Sequence, residues 1–164
     1  MIIGFSSTTN ILSRIIMWAT HSKASHSFLI FEVADEPIII QSSIHGVECM
    51  NYYRFLEGHK IVAKYKLSDK LEEQEALSAS IKLLNSPYDF LSVFGFGWVL
   101  FCKMFGKKVK NPFPNRNAYQ CSEFVLTVLK AAGLNGKLKD LDPELTSPED
   151  LIECLNQSQD VEKF

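Results

Sequence analysis

The chain has 164 residues, 46% of them hydrophobic, which is enough for one domain with an apolar core and too short for two ordinary domains. Its formal net charge is -2, so no general basic field favours nucleic acid as a partner. The dispersed cysteines include no C-x-x-C pair, which argues against a zinc knuckle, a thioredoxin-type site and a dense disulfide framework. We therefore expect one domain, residues 1–164, with reduced thiols.

The N-terminal residues do not follow the pattern of a secretory signal. Such a signal needs a basic region, a continuous apolar run and a small-residue cleavage site in that order. Here residues 6–10 are polar and Arg14 interrupts the segment that follows. We therefore expect a cytoplasmic protein.

Apolar segments bounded by polar or turn-forming residues predict a sheet in the first half of the chain. These segments lie at residues 2–5, 26–33, 38–42, 47–50 and 61–67. The second and third are expected to pair as a hairpin. The continuous apolar run at residues 38–40 predicts that both faces of its strand are covered.

Apolar residues at helical spacing predict four helices. The first follows the polar cluster at residues 6–10 and runs to about Trp18 or Thr20, and the second opens on a capping box at residues 69–72 and stops before Pro87. One side of the second helix is expected to be buried through Leu71, Leu77, Ile81 and Leu84. The third begins at Cys121, and the fourth begins at Ser147 with Pro148 and Asp150 in its first turn. The polar tail from Gln157 is expected to fray.

An unusually apolar, aromatic segment begins at Phe90 and is followed by lysines that end at Lys110. It is too short for a membrane span, and a core helix is the first interpretation. An aromatic segment bordered by lysines also suits an interface, so peripheral membrane contact or an apolar substrate stays open for residues 90–110.

Cys121 stands at the start of its predicted helix. A helix N-terminus has unpaired backbone N–H groups and the positive end of the helix dipole, and both favour the thiolate, which is the nucleophilic form of cysteine. A lone cysteine that opens an apolar helix can equally be a small buried apolar residue. A catalytic interpretation therefore needs a base nearby.

A cysteine hydrolase requires a base within hydrogen-bond reach of sulfur, a group that orients this base, and donors for the oxyanion. His26 is the best candidate base, because it lies where a polar loop enters a strand. Gln41, on the next strand, is the natural orienting residue, since an amide oxygen can accept a hydrogen bond from the imidazole N–H.

Other chemistries have weaker support. His21, His45 and His59 fall in or near loops and are interpreted as ordinary surface residues. A metal site from His21, His26 and Glu32 is conceivable, but no H-E-x-x-H or paired Cys/His spacing supports it, so we expect neither metal nor cofactor. The chain has no G-x-S-x-G motif, phosphate-binding glycine loop or dinucleotide fingerprint.

The order of His26, Gln41 and the cysteine motif resembles the circularly permuted papain-like hydrolases of the NlpC superfamily, in the YaeF/YiiX-like branch. The similarity extends over most of the chain. Its segments are Gly4-Phe5, Ser25-His26-Ser27, Ile40-Gln41-Ser42, Gly46-Val47, Pro87-Tyr88-Asp89-Phe90, Asn111-Pro112-Phe113 and Tyr119-x-Cys121-Ser122-Glu123-Phe124-Val125. The resemblance implies an α+β, permuted papain-like (NlpC-type) fold, with a small antiparallel sheet packed against helices and the cysteine at a helix N-terminus.

The resemblance also implies roles for individual residues. Cys121 is the nucleophile, His26 the general base and then acid, and Gln41 the orienting residue, with Tyr119 helping the Cys121 N–H to stabilise the oxyanion. Many relatives have a carboxylate where this chain has Gln41, and an amide cannot stabilise an imidazolium by charge. Glu32 is the alternative orienting residue.

Three classes of function follow. The first is a thiol hydrolase or acyltransferase that acts through an acyl-enzyme on a peptide-type amide, as in cell-wall stem peptides, or on a lipid acyl group. The second is a catalytically weakened or inactive binding module on the same fold, in which Gln41 reflects a lost activity. The third is a membrane-surface protein that uses residues 90–110. Neither the oligomeric state nor the substrate follows from the sequence.

Overall fold

The computed structural model describes residues 1–67, 73–89, 102, 118–133, 136–158 and 161–163. The capping box expected at residues 69–72 lies outside the described residues. The aromatic and basic segment 90–110 also lies outside them, except for Cys102.

A six-stranded antiparallel sheet forms the centre of the described structure, with the strand order β4-β3-β2-β1-β5-β6. The strands are β1 (Ile2–Ser7), β2 (His26–Val33), β3 (Glu36–Ser43), β4 (Gly46–Asn51), β5 (Lys60–Leu67) and β6 (Val161–Lys163). The first five lie where the sequence pattern predicts extended segments, and β2 and β3 pair as the expected hairpin. Helices pack against this sheet, which confirms the α+β class.

The expectation of a frayed tail is wrong for residues 161–163. Val161–Lys163 pairs antiparallel with β5, in a register that places Lys163 opposite Tyr65. The Lys163 ammonium also lies 5.4 Å from the centroid of the Tyr65 ring. Residues 161–163 therefore cover an edge of β5 that would otherwise be unpaired.

Five α-helices are described: α1 (Ile11–Ala19), α2 (Tyr52–Leu56), α3 (Glu73–Lys82), α4 (Cys121–Ala131) and α5 (Pro148–Asn156). Short 3-10 helices at Gly136–Asp140 and Pro143–Leu145 connect α4 to α5. The predicted caps of α5 are confirmed, since Ser147 and Asp150 form a reciprocal capping box around Pro148. Helix α2 was not predicted, because its five residues are too few to show a helical period.

The predicted buried side of α3 is partly wrong. Ile81 is 53% exposed, whereas Ala76 and Ser80 are fully buried. The Ser80 hydroxyl donates to the Ala76 carbonyl at 2.8 Å, so a polar side chain is buried without losing its hydrogen bond. Small residues allow α3 to approach α4 closely, and hydrophobic periodicity does not detect a buried serine.

The sheet is covered on both faces, as the apolar run in β3 predicts. One face packs under α4 in the main core, where Leu29 and Ile40 are buried with Phe124 and Val128. The other face holds a smaller cluster of Phe28, Ile30, Ile39 and Phe55. Adjacent residues of β3 thus enter different cores. No helix among the described residues is both long and apolar enough to cross a membrane.

Gly4 provides a test of the packing between β1 and β2. It pairs with Phe28, and a Cβ atom at position 4 would lie 2.2 Å from the Phe28 ring. We expect Gly4→Ala to lower the free energy of unfolding by about 1–3 kcal/mol, because the buried ring must move. Urea denaturation measures this change. Gly58→Ala is the control, since its Cβ would meet none of the described atoms within 4 Å. Equal stability of the two variants would contradict the packing described.

Candidate active site

His26, Gln41 and Cys121 come together at one end of the sheet. His26 begins β2, Gln41 lies near the end of the antiparallel strand β3, and Cys121 is the first residue of α4. The alternation of side chains places His26 and Gln41 on the face that carries Phe28 and Ile39. The distance between His26 Nε2 and Gln41 Oε1 is 2.7 Å, which is a hydrogen bond. His26 also interacts with the Cys121 thiol, so the three residues named from the sequence are neighbours.

Hydrogen bonds to the backbone of residues 119 and 120 hold the chain before Cys121 in place. The Tyr119 N–H donates to the Pro87 carbonyl at 3.1 Å, and the Ser42 hydroxyl donates to the Tyr119 carbonyl at 2.5 Å. Gln120 is in an extended conformation, and its N–H donates to the Glu123 carboxylate at 3.3 Å. These contacts fix the point at which α4 begins, and so they fix the position of Cys121.

Cys121 is only 8% exposed, and its thiol has several polar neighbours. Burial by itself raises the pKa of the thiol. The hydrogen bond and positive charge of His26 oppose burial, together with a hydrogen bond from the Ser27 N–H and the nearby Ser122 hydroxyl. The net effect lowers the pKa of Cys121 to about 7. A substantial fraction of this buried thiol is thus thiolate at neutral pH.

His26 shows the complementary effect. Burial lowers the pKa of the imidazole, but the hydrogen bond and charge of Cys121, the hydrogen bond of Gln41 and the charge of Glu48 raise the pKa above its ordinary value. A lowered thiol pKa beside a raised imidazole pKa describes a thiolate–imidazolium pair. Chemically, such a pair is able to act as a nucleophile beside a proton donor.

The other side chains named from the sequence are placed as follows. The Tyr119 side chain is partly buried against the main core, and an oxyanion role for it stays a prediction. Glu32 pairs with Pro37 at the opposite end of β2, about 20 Å from His26 at the rise of a strand, so Glu32 does not orient His26. His21 and His45 are exposed.

Two neighbours of the site, Glu48 and Tyr88, were not singled out from the sequence, and a third, His59, is half-buried rather than the ordinary surface residue expected. Glu48 accepts a hydrogen bond from Gln41 at 3.1 Å. The ring of His59 stacks on Phe55 and lies 6.0 Å from the ring of His26. Burial, together with the charges of Cys121 and Asp89, raises the pKa of the Tyr88 phenol, so that its O–H stays protonated close to the thiol. The sequence predicted extended segments at residues 38–42 and 47–50. Pairing these two segments as a hairpin would have placed Glu48 opposite Gln41 and so revealed it.

Glu123 caps α4 from a buried position, 7% exposed. Burial raises the pKa of its carboxyl from 4.5 to about 7; the Gln120 N–H opposes this shift, and the charges of Asp89 and Glu144 add to it. The folded state therefore holds a proton that the unfolded chain releases at lower pH. Stability falls as the pH rises through the interval between these two values.

We expect Glu123→Gln to raise the free energy of unfolding at pH 8 by on the order of 2 kcal/mol, and to change it little at pH 5, because the neutral amide keeps an acceptor for the Gln120 N–H. Urea denaturation at the two pH values measures the difference. Glu75→Gln, at an exposed position of α3, is the matched control. A Glu123→Gln variant less stable than the wild type at pH 8 would contradict the buried-carboxyl account.

Comparison with known proteins identifies the fold. The chain is similar to the crystal structure of the metalloprotein YiiX from Escherichia coli O157:H7, with a TM-score of 0.66 and 17% sequence identity. The match covers 99% of this chain and 94% of that chain. No protein-family model matches the chain, and no curated protein matches it by sequence. The chain therefore has a YiiX-like α+β fold, in agreement with the branch that the sequence motifs resemble.

The description of YiiX as a metalloprotein makes a metal site worth testing on these residues. Within the described part of the chain, no three His, Cys, Asp or Glu side chains are grouped so that they could hold a metal ion. His26 and Glu32, two members of the set considered from the sequence, lie at opposite ends of β2. The described residues therefore do not fit a metal ion.

Proposed function

We propose that this protein is a cysteine hydrolase or acyltransferase on a permuted papain-like (NlpC-type) fold. It cleaves an amide or ester through a Cys121-His26-Gln41 triad and an acyl-enzyme. The observation that carries the proposal is the buried His26 ring, which hydrogen-bonds the Gln41 amide oxygen at 2.7 Å and interacts with the Cys121 thiol so as to lower the thiol pKa. A buried thiol held partly ionised by an imidazole that is itself oriented is the arrangement that a nucleophilic cysteine requires.

In the first step, the Cys121 thiolate attacks the substrate carbonyl carbon, and the π electrons of the carbonyl move onto its oxygen. The C–S bond forms, and the oxyanion faces the positive end of α4 and the Cys121 N–H. As the C–N or C–O bond breaks, the His26 imidazolium gives its proton to the leaving group. The products of this step are a thioester and the released amine or alcohol.

In the second step, neutral His26 takes a proton from water or from another acceptor that has an O–H or N–H group. The acceptor attacks the thioester carbonyl, the C–S bond breaks, and the thiolate is restored beside the imidazolium. Water as the acceptor gives a hydrolase, and an amine or alcohol gives a transferase. The same residues serve both outcomes, so the acceptor that reaches the site decides between them.

Two tyrosines are candidates for a further oxyanion donor. The resemblance favours Tyr119, whereas Tyr88 interacts electrostatically with Cys121 and keeps its phenolic proton. The two residues are joined by a parallel β-bridge, which places both next to the start of α4. Either phenol would add a hydrogen bond to the one from the Cys121 N–H.

Intact-mass spectrometry with p-nitrophenyl esters of short and long acyl chains tests the proposed function. We expect a burst of p-nitrophenol and a mass increase equal to the acyl group, removed by hydroxylamine as a thioester is. Preference for long chains indicates a lipid acyl substrate, and turnover of short peptide anilides indicates an amide substrate. Absence of any acyl adduct across both sets would contradict the proposal.

The binding module is the second candidate, and the neutral side chain at Gln41 is the observation that favours it. An amide lacks the charge that stabilises an imidazolium, so catalysis would be weakened. A binding module has no need of an ionised thiol. It therefore predicts Cys121 alkylation with the pH dependence of an ordinary or buried cysteine, above about 8.5.

A further inference from the structure

We propose that Glu48 is a positioning residue which fixes the tautomer of His26 and supplies, through the Gln41 amide, the negative charge that the triad otherwise lacks. This inference rests on the proposed function and assigns to a fourth residue the part that a direct carboxylate would take. Glu48 lies on β4, directly across the ladder from Gln41.

The surroundings of the Gln41 amide determine which way it faces. Gln41 is 3% exposed, and its Nε2 donates to Glu48 Oε1 at 3.1 Å and lies 3.7 Å from Met50 Sδ. A carboxylate and a thioether offer only acceptors, so the amide nitrogen must face them. The amide oxygen is then directed to His26 Nε2, at 2.7 Å.

This orientation selects the useful tautomer of His26. An amide oxygen can only accept, so His26 Nε2 must carry hydrogen. In the neutral ring, Nδ1 is then unprotonated and is the nitrogen that remains to take the proton of Cys121. An amide rotated by half a turn would present N–H groups to Nε2 and place the hydrogen on Nδ1. A neutral His26 in that tautomer could not accept a proton from the thiol.

Glu48 is itself held in place by the hairpin. The Ser43 hydroxyl donates to Glu48 Oε1 at 2.5 Å, which is the same oxygen that accepts from Gln41. The carboxylate is therefore fixed by one cross-strand pair and one hydroxyl. The Gln41 side-chain amide separates the charge of Glu48 from the imidazole of His26. This charge acts in the direction that stabilises the imidazolium.

Alkylation of Cys121 by iodoacetamide across pH 5–10, with Cys49, Cys102 and Cys154 replaced by serine, tests this assignment. We expect Glu48→Gln to reduce the alkylation rate at pH 6 by about three- to tenfold, because a shift of up to one unit in the thiol pKa changes the thiolate fraction by up to tenfold. Glu32→Gln removes the same charge from the far end of β2 and should leave the rate unchanged. Thermal unfolding checks that each variant is folded.

Exchanging the side chains of Gln41 and Glu48 tests the role of Glu48 more strictly. In Gln41→Glu/Glu48→Gln the carboxylate contacts His26 directly and the amide stands behind it, so reactivity at pH 6 should return to that of the wild type or exceed it. Nitrogen-15 NMR of the histidine rings should show hydrogen on Nε2 of His26 in the wild type, and a mixture of tautomers in Glu48→Gln.

The outcomes separate this inference from the proposed function. Glu48→Gln with an unchanged pH profile and an unchanged His26 tautomer would overturn the role of Glu48 while leaving the wild-type thiol activated. A loss in Glu48→Gln that the exchanged variant does not restore, while that variant remains folded, would also overturn it. A wild-type thiol with ordinary reactivity would instead count against the proposed function itself.

Discussion

Cys121→Ala is expected to abolish turnover and covalent acylation while leaving the fold intact. Removal of the nucleophile removes the acyl-enzyme, and loss of a nucleophile of this kind costs on the order of 10⁶-fold in rate, which places activity below detection. The sulfur occupies little space at the helix N-terminus, so alanine should preserve α4. Activity on a p-nitrophenyl ester and the circular dichroism spectrum measure the two effects.

Cys154→Ala is the control for this experiment. Cys154 is also a free thiol among the described residues, but it lies on α5, and burial raises its pKa rather than lowering it. That variant should retain wild-type turnover. If Cys121→Ala keeps a measurable fraction of the activity, or Cys154→Ala loses it, Cys121 is not the nucleophile.

His26→Ala should reduce turnover by about 10²- to 10⁴-fold, which is the usual contribution of a general acid–base residue. The variant loses the proton donor for the leaving group and also the charge that keeps Cys121 ionised. Burial then remains as a cause that raises the thiol pKa. Turnover under substrate saturation and thiol alkylation at pH 7 should fall together, the latter by more than about tenfold.

His59→Ala separates catalysis from packing. The His59 ring lies 6.0 Å from the His26 ring and stacks on Phe55, so these three rings form an aromatic cluster. Removal of His59 disturbs this cluster without removing the base. We expect some loss of stability, and a thiol pKa that stays below the free value. If His59→Ala lost as much thiol reactivity as His26→Ala, the cluster as a whole, and not the imidazole of His26, would control Cys121.

Local patterns in the sequence predicted much of the fold. Strands β1 to β3 could be predicted because their apolar runs end in turn residues, and α5 because Ser147, Pro148 and Asp150 form a recognisable start. Helix α2 and strand β6 could not, because a five-residue helix and a three-residue edge strand have no period of their own. Strand β6 exists because β5 offers it a free edge, which is a tertiary effect.

The residues of the candidate site could also be predicted only in part. His26 and Gln41 could be paired from the sequence because one short hairpin brings them together, and Cys121 because it begins a helix. Glu48 was missed because its importance depends on the register of β3 against β4, where a shift of one residue would turn it to the other face. The cytoplasmic location and membrane contact through residues 90–110 stay predictions.

The pH dependence of Cys121 alkylation tests the central claim most directly. Wild type and His26→Ala should be compared with the other three cysteines replaced by serine. We predict a midpoint near 7 in the wild type, and one above the free-thiol value of about 8.5 in His26→Ala. A wild-type midpoint at or above 8.5 that does not respond to the loss of His26 would contradict the Cys121–His26 pair.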